Sequence, residues 1–135
     1  MDEQTLTTFE ESLARCSGNP GFFDRFYGLF MASSPKVAEK FANTDFGRQK
    51  RALEESLHTM LLAARDEPSQ AGPYLRDLAE RHSSRDLNIG AELYDYWLDS
   101  LLETVQEFDP QFDPSVYQAW EKVMMQGIAY LLSRY

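Results

Sequence analysis

Two side chains in this sequence suit a metal best, the imidazoles of His58 and His82. They stand too far apart to form the helical pair that places two ligands one turn from each other. His82 closes a stretch whose inward pattern is Leu75, Leu78 and Ala79, and it is flanked by Arg81 and Ser83-Ser84. Taken alone, a histidine there is usually a surface residue or a helix C-terminal cap, with a metal ligand as the alternative. His58 lies off the apolar stripe of its helix and reads as exposed. The carboxylate pairs Glu10-Glu11 and Glu54-Glu55 could divide acid from base work in an active site, but both read as solvated helix faces. Cys16 stands alone, so it forms no internal disulfide, and it reads as a small side chain on the first helix. The sequence contains no Gly-rich phosphate loop, Gly-x-Ser-x-Gly, Cys-x-x-Cys or His-Glu-x-x-His.

The elements that must position these residues are helical. The chain of 135 residues holds 16 Leu and 12 Ala against 4 Val and 2 Ile. Leu and Ala favour helices where β-branched residues favour strands. Punctuation then divides the chain. A first helix spans about Thr5–Arg15, with Leu6, Phe9 and Leu13 on one side, and ends at the Ser17-Gly18-Asn19-Pro20 break. A second starts at Pro20 and carries Phe22, Phe23, Phe26, Tyr27 and Phe30. Ser34-Pro35 opens a short helix reaching Phe41, and Ala42–Phe46 reads as a corner. The spacing of Leu53, Leu57 and Leu61 predicts a long helix over Arg48–Arg65. Asp66–Gly72 reads as a loop, and Pro73–His82 as a helix. Asn88 is the expected cap of a helix to Phe108, and Asp113-Pro114 of the last. The expectation is an all-α chain of about seven helices of unequal length, forming one domain over residues 1–135.

The formal charge of −9 argues against a nucleic-acid partner, because phosphate binding needs clustered Lys and Arg. No run reaches the ~18 apolar residues of a membrane span. The opening MDEQTLTTFEES is acidic rather than basic-then-apolar, so no signal peptide is expected. With a lone cysteine, a reducing cytoplasm is the expected compartment.

Taken together, several segments resemble a globin. Phe26-Tyr27-Gly28-Leu29-Phe30, Ser34-Pro35 and Phe41 look like its second and third helices. Gln49-Lys50-Arg51-Ala52-Leu53 resembles the distal-helix motif of bacterial single-domain globins and flavohaemoglobins. Leu78-Ala79-Glu80-Arg81-His82 resembles their proximal helix, and Ala119-Trp120-Glu121-Lys122 the opening of their last one. The motifs stand in the right order over nearly the whole chain.

The resemblance implies a short three-over-three helical sandwich around haem b. His82 would be the proximal ligand of the iron, its Nδ1–H given to the Leu78 carbonyl four residues back. Phe41, Leu53, Leu57, Leu78, Leu87, Tyr94 and Trp97 would line the cofactor's cavity, with core packing as the alternative for Trp97. Tyr27 and Gln49 would be the distal donors, since a donor in a dry pocket stabilises the partial negative charge that ferrous iron pushes onto O2. The alternatives for them are core packing and an exposed first-turn position. Arg48, Lys50 and Arg51, or Arg81 and Arg85, could pair with the propionates, with ordinary surface charge as the alternative for each.

The run Tyr94-Asp95-Tyr96-Trp97-Leu98 also resembles the distal-tryptophan region of truncated globins, whose Gly-Gly pairs are missing here. The implied activity is reversible binding of O2, and of CO and NO, for storage, delivery or sensing, by a monomer or homodimer. The enzymatic alternative is an NO dioxygenase or peroxidase fed by an external reductase. A third is a haem-free globin-fold interaction module. Flavohaemoglobins carry a late glutamate that polarises the proximal histidine; here no acidic residue follows Glu121.

Overall fold

The structure, a computed structural model, describes residues 1–65, 71–85 and 87–135, and only the backbone of 71–74. Among them are seven helices: α1 Glu3–Ser17, α2 Gly21–Ser33, α3 Pro35–Lys40, α4 Phe46–Arg65, α5 Ala71–His82, α6 Ala91–Phe108 and α7 Pro114–Ser133. Local chemistry sets several of their starts. The side chains of Asp2, Ser34 and Asp113 cap α1, α3 and α7 by accepting the amides of Thr5, Lys36 and Val116. Pro35 and Pro114 occupy first-turn positions where no amide donor is needed.

Several expected boundaries move, and α1 runs over Glu3–Ser17 rather than Thr5–Arg15. The long helix starts at Phe46 rather than Arg48, because Asp45 accepts the Arg48 amide on its side chain and the Gln49 amide on its carbonyl. Asn88 does not cap α6. That helix starts at Ala91 with Gly90 as its cap, and Asn88 lies before it in a left-handed conformation (φ 56°). The expected loop over 66–72 falls mostly outside the described residues, though Ala71 and Gly72 already belong to α5.

The helices form two layers. α1, α4 and α5 lie against α2, α6 and α7, with the α1–α7 and α5–α7 contacts joining the layers. Trp120 fills the centre, fully buried, with Phe9 edge-on at 4.8 Å between ring centroids. Its indole Nε1–H donates to Ser12 Oγ (2.8 Å), and Ser12 donates to Asp109 Oδ2 (2.6 Å). Arg15 completes the group by donating to both Asp109 oxygens, at 2.7 and 2.9 Å. α1, the end of α6 and α7 are thereby tied by a polar network inside an apolar core. Burial alone would raise the Asp109 carboxyl, but the bonds from Arg15, Ser12 and the Gln111 amide outweigh it and hold the group below the usual carboxylate range.

α4 and α7 approach closely at Gly127, where an added Cβ would lie 3.0 Å from both Cγ and Sδ of Met60. Only the absence of a side chain on α7 leaves Met60 its place. Gly127→Leu is therefore expected to destabilise by about 1–3 kcal/mol through overpacking, read from urea unfolding.

Candidate functional site

Between α2, α4, α5 and α6 lies a cavity of about 300 Å³, at the lower end of the range for small-molecule sites. Nine of the residues the sequence singles out reach its wall: Tyr27, Phe41, Gln49, Leu53, Leu78, His82, Leu87, Tyr94 and Trp97. Leu57 does not. It is fully buried in the core instead, and only Leu53 of that leucine stripe's expected pair meets the cavity.

His82 is half-buried as the last residue of α5. Its Nδ1 lies 2.9 Å from the Leu78 carbonyl oxygen. A carbonyl can only accept, so Nδ1 carries the proton and the lone pair of the neutral ring falls on Nε2. The helix thus sets both the tautomer and the orientation of the imidazole. No group of three or more His, Cys, Asp or Glu among the described residues could hold a metal ion. A porphyrin is one group that would bring the remaining donors for a metal on His82.

Tyr94 stands beside the histidine, ring centroids 6.3 Å apart and 66° between planes. Its hydroxyl is buried and has no hydrogen-bond partner among the described residues. Burial pushes the phenol above its ordinary range, so it stays a neutral donor. Tyr27 is also buried, and its hydroxyl donates to the main-chain carbonyl of Gln49 at 3.2 Å. Burial raises this phenol too, with the Gln49 bond opposing. The ring packs edge-on to Phe26 and Phe46. Gln49 is half-buried in the first turn of α4. Phe41 packs on Phe30 at 5.5 Å, and Trp97 on Phe26 at 6.2 Å.

Sequence reasoning missed part of the wall. Ala52, Ser56 and Thr59 line it from one face of α4. Their spacing was a readable signal of a helix face kept thin. The two hydroxyls donate back to the Ala52 and Glu55 carbonyls, while Glu55 and Met60 join the same wall. Ile89, Leu93 and Leu131 add apolar wall. Of the cations expected near propionates, Arg81 alone lines the cavity; Lys50 instead pairs with Asp24 at 2.7 Å. His58 is exposed, as expected. Cys16 is fully buried, and burial pushes its thiol up to about 12, which leaves it unreactive.

The residues present fit haem. The cavity is more apolar than polar, one histidine with its tautomer fixed stands on its wall, and Arg81 among the lining residues suits a carboxylate. No helix among the described residues is long and apolar enough to cross a membrane.

The comparisons with known proteins agree with this geometry. The family model described as Globin matches residues 24–131. Among solved structures, the chain is similar to PA3967 from Pseudomonas aeruginosa PAO1, described as structurally highly homologous to a human haemoglobin. The identity is 39%, the match covers 97% of this chain and 98% of that one, and the TM-score is 0.90. No curated protein matches the chain. With the family model spanning most of its length and a close structural relative spanning nearly all of it, this chain belongs to the globin family.

Proposed function

We propose that the chain holds haem b in this cavity through His82 and binds O2 reversibly, with CO and NO as further ligands, in storage, delivery or sensing. The observation that carries the reading is the His82 imidazole, held by the Leu78 carbonyl with its proton on Nδ1, on the wall of a mainly apolar cavity. Haem, when bound, supplies an iron that takes up diatomic gases.

The remaining roles belong to the chain itself. The Leu78 carbonyl keeps His82 in the tautomer whose Nε2 can donate its lone pair. Leu53, Leu78 and Ile89 exclude water, which strengthens any hydrogen bond formed inside. Arg81 neutralises a carboxylate at the edge. Tyr27 and Tyr94 each hold a proton on a buried oxygen, one spent on the Gln49 carbonyl and one unspent. Tyr27 can serve a gas ligand only by exchanging its carbonyl acceptor for the ligand's partial negative charge. A bond to a charged group is worth about 1.5–3 kcal/mol and one to a neutral carbonyl about 0.5–1.5, so the exchange is favourable by roughly 1 kcal/mol.

Tyr27→Phe is then expected to speed O2 release roughly fivefold and to leave CO release, which develops less charge, nearly unchanged. Stopped-flow displacement measures both. Equal rates for wild type and variant would leave the hydroxyl only its structural role on α4. For the function as a whole, an oxygen equilibrium curve on the haem-loaded ferrous chain should saturate and reverse. Immediate oxidation without a reversible phase would overturn the proposal.

A further inference from the structure

The cavity wall has an exposed part and a buried part. Glu55, Arg81 and Leu87 belong to the first, whereas Met60 from α4 and Leu131 from α7 belong to the second. A prosthetic group that is charged at one edge and apolar at the other therefore has one favourable way to sit. Its carboxylates stay by the exposed Arg81, because charge is costly to take out of water. Its apolar edge goes to Met60 and Leu131.

Met60 keeps its place through what α7 lacks. A Cβ at Gly127 would lie 3.0 Å from the Cγ and Sδ of Met60 and 3.1 Å from its Cε. Every atom of that side chain beyond its own Cβ would thus be crowded by one methyl. Met60 would have to yield, and its unbranched thioether turns easily. A close-packed interior offers it little room, but Met60 also lines the cavity, so the open direction is into the cavity. Gly127 lies inside a helix of 20 residues, where glycine is less stable than alanine. The chain gives up helix stability at the position where Met60 needs the space.

We propose that Gly127 is a positioning residue that sets the depth of the cavity's buried end. By leaving Met60 its seat on α7, it makes room for the apolar edge of the prosthetic group. The identity of that group rests on the function proposed above; the seating of Met60 does not.

Gly127→Ala and Met60→Ala test the pair, because the second removes all three atoms that the first would crowd. On the haem-free chain with isotope-labelled methionine methyls, the Met60 resonance should move in Gly127→Ala. Anilinonaphthalene sulfonate, an apolar dye with one charged group, should bind that variant about tenfold more weakly, the effect of one methylene-sized change in an apolar pocket. In the Met60→Ala background the same glycine substitution should change dye binding by less than about twofold. In haem-loaded protein, Gly127→Ala should weaken haem b about tenfold. Deuterohaem, which carries hydrogens in place of the two vinyl groups, should weaken by less than about twofold. A general loss of stability would weaken both alike.

An unmoved Met60 resonance would overturn the seat. A moved resonance with unchanged dye binding would mean that the helices part instead, and would overturn the control of depth. Equal weakening of dye binding with and without the Met60 side chain would do the same. Equal weakening of the two haems would overturn the role at the vinyl edge. If Met60→Ala does not fold, the Met60 resonance and the two haems still decide. A chain that takes up no haem would defeat the proposed function, while the resonance and the dye still decide the seat.

Discussion

His82→Ala is expected to weaken haem binding by at least roughly a hundredfold while leaving the chain folded. Changing a group that merely supports a metal ligand already costs 10–100-fold, and His82 is the proposed ligand itself. The fold should survive because the histidine is half-buried at a helix end, its Nδ1 bond to the Leu78 carbonyl stays within α5, and alanine suits a helix. Circular dichroism should match the wild type, and urea unfolding should move by only about 1 kcal/mol. His82→Gly with added imidazole should recover part of the haem spectrum, because the ligand is then supplied from solution to the vacated space. Retention of haem within a few-fold of wild type by His82→Ala would remove His82 from the iron.

The second large effect concerns the core. Asp109→Ala is expected to destabilise the chain by about 3 kcal/mol in urea unfolding, since it leaves Arg15 and Ser12 without their shared acceptor. Asp109→Asn, which keeps an acceptor and loses the charge, should cost about half as much. The pH dependence follows from the direction of the shift. A carboxyl lowered in the folded state contributes stability that is present above its unfolded value near 3.8 and is lost as pH falls through the depressed folded value. Wild type should therefore lose stability in that acidic window, and Asp109→Asn should lose less there. Identical acid profiles would show that the carboxylate adds nothing beyond its shape.

Most of the fold was legible because its signals are local. Caps at Ser34 and Asp113, first-turn prolines and the Leu53-Leu57-Leu61 stripe each lie within a few residues of what they specify. The errors were local signals that a neighbour overrode. Asp45 drew the start of α4 forward to Phe46, and Asn88, read as a cap, spends its side chain on Tyr135. Leu57 shows the limit of a helical stripe: periodicity says that it points inward, not whether inward means core or cavity. The Ser12–Asp109–Trp120 network and the bond from Tyr135 to Asn88 join residues distant in sequence, so no local pattern announces them. The candidate site was legible in its histidine and its aromatic residues. That the Tyr94 hydroxyl has no partner among the described residues while that of Tyr27 has one depends on packing in three dimensions.

The central claim is that this cavity takes one haem on His82. Titrating the purified chain with haem and following the Soret band tests it most directly. The account predicts a sharp break at one haem per chain and, after reduction, a band that shifts on admitting oxygen and returns under nitrogen. A titration with no break, giving only the broad absorption of free haem, would contradict it.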